Sequence, residues 1–150
     1  MNWRVEKGTA ADAMTIAGFQ MDMALESEGT VLDAETLSKG VHAGLADPAR
    51  GTYYLIKTEI GETAGSLFVT REWSDWNNCW YWWVQSVFVK PEFRRQGAYT
   101  FLYGEIRRLA KADGAACLRL YVDHDNVKAQ SCYREQGMDE CHYLMYEERI

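Results

Sequence analysis

Val87-Phe-Val-Lys-Pro-Glu-Phe-Arg-Arg-Gln-Gly-Ala-Tyr99 runs an apolar, β-branched segment into a basic, glycine-containing turn that opens a helix. The first amides of such a helix have no intrahelical acceptor, and they share the positive end of the helix dipole with two arginines. A strand, turn and helix in this order make a cradle for an anion such as a pyrophosphate. Downstream, Asn126-Val-Lys-Ala-Gln-Ser-Cys-Tyr133-Arg-Glu-Gln-Gly-Met138 sets a good helix cap seven residues before a tyrosine.

Together the two blocks resemble the acetyl-CoA site of the GNAT N-acetyltransferase superfamily. Its Q/R-x-x-G-x-G/A turn is matched by Arg94, Arg95, Gln96, Gly97, Ala98 and Tyr99, and its N-x-x-A-x-x-x-Y block by Asn126, Ala129 and Tyr133. Tyr99 departs from the pattern where a second small residue is usual, so its ring must point away from the cofactor or lie alongside it. The resemblance implies that the amides from Arg95 to Tyr99, with the guanidinium of Arg94 or Arg95, hold the CoA diphosphate. It also implies that the backbone of Val87 and Val89 bonds the pantetheine arm like an added strand. Asn126 becomes a polar contact to the cofactor, and Tyr133 the acid that protonates the departing thiolate. With free-group pKa values near 10 and 8.5, that transfer is uphill by about 1.5 units, roughly 2 kcal/mol.

At 150 residues the chain fits a single domain over 1–150, able to bury roughly 70% of its unfolded surface. A net charge of −6 argues against a general nucleic-acid binder, since nonspecific affinity rests on Lys and Arg neutralising phosphates. It suits a cationic substrate such as an amine. Cys79, Cys117, Cys132 and Cys141 show no CxxC spacing and no paired histidines, so no metal is expected and the thiols read as buried and reduced. Met1-Asn-Trp-Arg-Val-Glu-Lys7 lacks an apolar signal region, and Trp80-Tyr-Trp-Trp-Val84 is too short to span a bilayer. A cytoplasmic protein without membrane association is expected.

Periodicity and breakers predict a strand over 2–7 and a helix capped by Thr9 or Asp12 with Met14, Ile16, Ala17, Met21 and Leu25 inward. A second helix over 33–45 stops at Asp47-Pro48, and strands follow over 52–58, 62–71 and 79–90. A helix runs from Gly97 to about Ala112 with Phe101, Leu102, Ile106 and Leu109 inward; then come a strand over 115–122, a helix over 126–136 and a last strand over 141–147. This order is that of an α/β protein. The resemblance makes it the GNAT fold, a mixed, mostly antiparallel sheet splayed between its fourth and fifth strands with helices on both faces.

The acceptor half is less defined. An amine like lysine is neutral only about once in 2,500 molecules at pH 7, so a base must take its proton. Some GNAT members carry a glutamate on the fourth strand where this chain has Trp83. Glu28 is the candidate base, with a water relay as the alternative. Glu26, Trp83 and Gln85 are candidate acceptor contacts. Five of six tryptophans fall within Trp73–Trp83; Trp80 and Trp82 share one strand face, Tyr81 and Trp83 the other. The exposed face could wall an acceptor pocket or bury itself in a homodimer. The expected activity is acetyl transfer from acetyl-CoA to a small-molecule or peptide amine in a ternary complex. The alternatives are a non-catalytic acyl-CoA-binding module and an acyltransferase for protein amino groups.

Overall fold

The computed structural model describes residues 1–150. Strands β1 (Arg4–Lys7), β2 (Thr52–Lys57), β3 (Thr63–Ser74), β4 (Cys79–Val89) and β5 (Cys117–Arg119) form one sheet in the order β1-β2-β3-β4-β5. Neighbours are antiparallel except β4 and β5, which are parallel and joined through a helix. Helices α1 (Ala13–Glu28) and α2 (Ala34–Ala46) precede β2, α3 (Ala98–Ala112) links β4 to β5, and α4 (Val127–Glu135) follows β5.

The sheet is covered on both faces, which is why β2 reads as a continuous apolar run. Tyr53 and Leu55 pack with Ala13, Ile16 and Val41 of α1 and α2. Their strand neighbours Tyr54 and Ile56 face the other way, into a larger cluster with Leu67, Val69, Trp82, Val84, Leu102 and Ile106. Each fully buried Leu or Ile here contributes roughly 1.5–3 kcal/mol by leaving water. Asp33 caps α2 by accepting from the Thr36 amide at 2.9 Å. Helix α4 lies beside α3: an Arg107 guanidinium nitrogen donates to the Gln136 carbonyl at 2.7 Å and the Gln136 amide to Thr100 Oγ1 at 3.0 Å. No helix is long and apolar enough to cross a membrane.

Four expectations need correction. The inward stripe of α1 is Ala13, Ile16, Phe19, Gln20 and Ala24, whereas Met14 and Leu25 are exposed. Apolar residues occur all round this helix, so spacing alone chose the wrong set. On α3, Phe101 is exposed, and Tyr103 takes an inward place beside Leu102 and Ile106. None of the thiols is fully buried: three are half-buried and Cys141 is exposed. Finally, β5 spans only three residues, and 141–147 form no strand. The Met138 amide is tied to the Tyr133 carbonyl at 3.1 Å, and beyond it no residue makes a backbone–backbone hydrogen bond.

Candidate active site

The turn after β4 is built to leave amides free. A short 3-10 turn, Pro91–Phe93, leads into Arg95 and Gly97, both left-handed at φ 60° and 80°. Gly97 caps α3, and a Cβ there would meet no atom within 4 Å, so the glycine is required by its backbone angle and not by crowding. Two left-handed residues flanking Gln96 make a concave row of N–H groups, an anion nest at a helix amino end. No group of the chain accepts from the amides of Arg95, Gln96, Gly97, Ala98, Tyr99 or Thr100. The Gln96 side chain is turned back onto the Glu92 carbonyl at 2.7 Å, and its own carbonyl accepts from the Trp3 indole at 3.2 Å, which anchors the turn.

Strand β4 carries the second feature. Ser86 sits at φ 53°, and the β3–β4 register slips between Ser66 and Phe68, which marks a β-bulge. Before the bulge, the Trp80 carbonyl points at β5, accepting from Ala116 N at 3.1 Å. After it, Lys90 N donates toward β3, to Ala64 O at 2.8 Å, while the Val89 carbonyl points away from β3 and accepts from Arg94 Nε at 2.8 Å. Because N–H and C=O of one residue share a side, Val87 and Val89 present their backbones to the β5 side. The inserted residue also exchanges side-chain faces: Phe88 leaves the α3 face and packs on Phe19 of α1 at 5.2 Å. Gly65 accommodates the bulge, since a Cβ there would lie 2.3 Å from the Phe88 carbonyl oxygen. Pairing with β5 ends at Trp83↔Arg119, so from Val84 onward the two strands are splayed.

A bulged fourth strand, a splay beside it and an amide nest after it agree with sequence comparison. The acetyltransferase (GNAT) family model matches residues 20–138. The chain belongs to the GNAT acetyltransferase family. It is 33% identical over 86 residues to YhfO of Bacillus subtilis strain 168, described as an uncharacterized N-acetyltransferase; the match covers 57% of this chain and 58% of that relative. A structure from Clostridium difficile 630, described as a possible acetyltransferase, is 35% identical and superposes over 100% of this chain and 99% of its own, with a TM-score of 0.93. A structure from Clostridium acetobutylicum, described as a predicted acetyltransferase with acetyl-CoA, shares the fold, at a TM-score of 0.79 and 11% identity over 98% of this chain and 96% of its own.

In this GNAT chain Arg94 does not extend toward the nest. Its guanidinium makes a two-point bond with Glu26 at 2.6 and 2.7 Å, and with the Val89 carbonyl it ties the end of α1 to the turn. The Arg94 hydrogen bond holds the Glu26 carboxyl below its ordinary range, against an opposing effect of burial. Glu26 and Arg94 thus brace the end of α1 against the turn, whereas Arg95 is exposed and has no acidic partner.

Asn126 caps α4, its Oδ1 accepting from Ala129 N at 3.1 Å. Tyr133 is half-buried, its ring centroid 6.0 Å from that of Tyr99, which in turn stacks on Tyr103. Tyr99 thus turns toward neighbouring tyrosines, and its hydroxyl is buried without a partner. Burial is the main cause raising both phenols, with Cys132 adding to Tyr133 and Tyr133 adding to Tyr99. Both hydroxyls accordingly stay protonated throughout the neutral range.

A cavity of about 430 Å³ opens between α1, α2 and the sheet, lined on its polar side by Gln20, Ser27, Glu28, Gln85 and Ser86. Two expected residues, Glu28 and Gln85, meet there, and the bulge residue Ser86 joins them. Gln85 is oriented by Thr70 Oγ1, which accepts from its amide. Trp83 is not part of this lining: its indole donates to Glu72 at 2.8 Å and its ring lies 6.4 Å from Tyr121. Gln20 was not foreseen. It is 5% exposed, its side-chain nitrogen has no partner, and it lines the cavity. The only sequence signal is an amide interrupting the Ile16–Ala24 apolar stripe, which a misassigned stripe concealed.

Proposed function

We propose that this chain transfers an acetyl group from acetyl-CoA to a primary amine by direct attack in a ternary complex. The observation that carries the reading is the run of unbonded amides from Arg95 to Thr100 at the amino end of α3, beside a splayed strand that turns the Val87 backbone and the Val89 amide away from β3. The diphosphate would take the nest and Arg95, the pantetheine arm the β4 edge, and Asn126 a further polar contact. On this reading the thioester would lie within reach of Tyr133 and of the amine.

The amine nitrogen attacks the thioester carbonyl, an N–C bond forms, and a free β4 amide near the carbonyl stabilises the oxyanion. The C–S bond then breaks, and Tyr133 donates its proton to the leaving thiolate. The amine's own proton goes to Glu28, directly or through water. A single carboxylate among amides and hydroxyls suits one ammonium group, bound as a cation and reacting as the amine.

Release of free thiol from acetyl-CoA, measured across a panel of small amines and peptide amino termini, tests the proposal. Amine-dependent release supports it. Tight CoA binding with no release for any amine would favour the non-catalytic acyl-CoA module, which the tryptophan at position 83 keeps as the second reading.

A further inference from the structure

Given the acetyl-transfer reading, on which this rests, we propose that the acceptor is a monoamine on an uncharged, largely apolar body, an alkyl- or aralkylamine. Amines that carry a carboxylate, or several positive charges, are then poor substrates. The cavity between α1, α2 and the sheet has one charged side chain in its wall, Glu28, and no Lys, Arg or His. Glu28 enters no ion pair within the chain, so its charge is left for a cation from outside. A second positive charge on the acceptor would find no carboxylate in the wall, and a negative charge would find no cation and would face Glu28.

Two neutral groups of the wall have their donors committed inside the chain. The Ser27 hydroxyl donates to the Met23 carbonyl at 2.7 Å, and the Gln85 amide nitrogen donates to Thr70 Oγ1. What remains for a ligand is the lone pairs of Ser27 Oγ and Gln85 Oε1, with the Glu28 carboxylate in the same wall. A primary ammonium has three N–H donors and no acceptor, which matches this set, whereas a carboxylate or phosphate needs donors. Gln20 Nε2 is a donor without a partner, two turns earlier on α1 and roughly 12 Å from Glu28 along the axis. A single neutral donor does not offset the desolvation of a carboxylate, and a hydroxyl on the far end of the body would meet it as well.

The rest of the wall is apolar and formed in advance. Tyr53 of β2 and Phe68 of β3 stack with ring centroids 4.3 Å apart, joined in the wall by Leu37 and Val41 of α2. Glycines leave room for the pair: a Cβ at Gly44 would lie 3.2 Å from the Tyr53 ring, and one at Gly51 would lie 2.4 Å from the Phe68 ring. A wall already ordered takes up a hydrocarbon chain or ring with little further loss of side-chain freedom. A polyamine laid along it would leave its remaining ammonium groups among hydrocarbon, without partners.

Thiol release from acetyl-CoA with 2-phenylethylamine, phenylalanine and spermidine, paired with calorimetry of each amine on the CoA-bound chain, tests this. The first two differ by the carboxylate alone. Both kcat/KM and affinity for 2-phenylethylamine are expected to exceed those for the other two by about tenfold or more. Glu28→Lys is expected to weaken 2-phenylethylamine binding by about tenfold or more with CoA affinity kept; the residue is exposed at the end of α1, so the exchange leaves the fold in place. Phenylalanine or spermidine equal to or better than 2-phenylethylamine overturns the proposal and leaves acetyl transfer standing, as does amine binding that Glu28→Lys does not change. Release with no amine counts against acetyl transfer instead, and the calorimetric order then decides the class: equal affinities, or no amine bound, overturn it.

Discussion

Replacing Arg94 with Gln separates a brace from a ligand. The side chains of Arg94 and Glu26 are 32% and 52% exposed, so solvent screening holds their pair near the upper end of the surface range, about 0.5–1 kcal/mol. Loss of the bond from Arg94 Nε to the Val89 carbonyl adds about 1 kcal/mol. The sum of roughly 1.5–2 kcal/mol lowers Tm by about 3–8 °C in a chain of this size. If Arg94 does not touch the diphosphate, the Kd for CoA measured by calorimetry changes less than about threefold, a shift under roughly 0.7 kcal/mol. Arg95→Gln is expected to do the reverse, leaving Tm unchanged and raising Kd by about tenfold or more, as loss of a charged hydrogen bond does. A cycle with Glu26→Gln should show the coupling in Tm and not in Kd. The reasoning fails if Arg94→Gln weakens CoA tenfold with Tm unaltered.

Three further outcomes follow from the same geometry. Because the folded Glu26 carboxyl lies below its ordinary value of 4.5, its contribution is fully present above that value and is lost as pH falls through the lowered one; the Tm gap between the parent chain and Glu26→Gln should be constant from pH 6 to 8, by expectation, and close below about pH 4. A gap that persists in acid would mean that the carboxylate charge is not its source. Tyr133→Phe should lower turnover by roughly 10²-fold with CoA affinity intact, and the parent's rate should show no loss from phenol ionisation up to about pH 10, since burial raises that group; unchanged turnover in steady-state assays would remove Tyr133 from proton transfer. Gln20→Leu removes a buried, unpartnered amide, so stability should hold or rise in thermal melts, while the KM for the amine rises several-fold if that amide meets the acceptor.

The strand, turn and helix from Val87 to Tyr99 were legible because each part has a local signature: β-branched residues, a glycine with positive φ, and a helical stripe opening at Ala98. Asn126 was legible for the same reason. The bulge was not. Ser86 is an ordinary strand residue by composition, and only the register against β3 and the crowding at Gly65 require its left-handed backbone. That single angle decides that Phe88 packs on α1 and that Val87 and Val89 face the splay. Arg94 was legible as a basic residue in a motif but not as the partner of Glu26, which lies 68 positions away and meets it only once α1 crosses the turn. The 141–147 segment shows the opposite case: strand composition was present, but a strand needs a hydrogen-bonded partner, and this segment pairs with none.

The central claim is that the nest at the amino end of α3 and the free edge of β4 hold the acyl donor. Amide chemical shifts recorded while the protein is titrated with CoA test it most directly. Saturable shifts in the amides of Arg95 to Thr100, together with Val87 and Val89, are the predicted result. Shifts confined to other parts of the chain, or none at millimolar CoA, would contradict it.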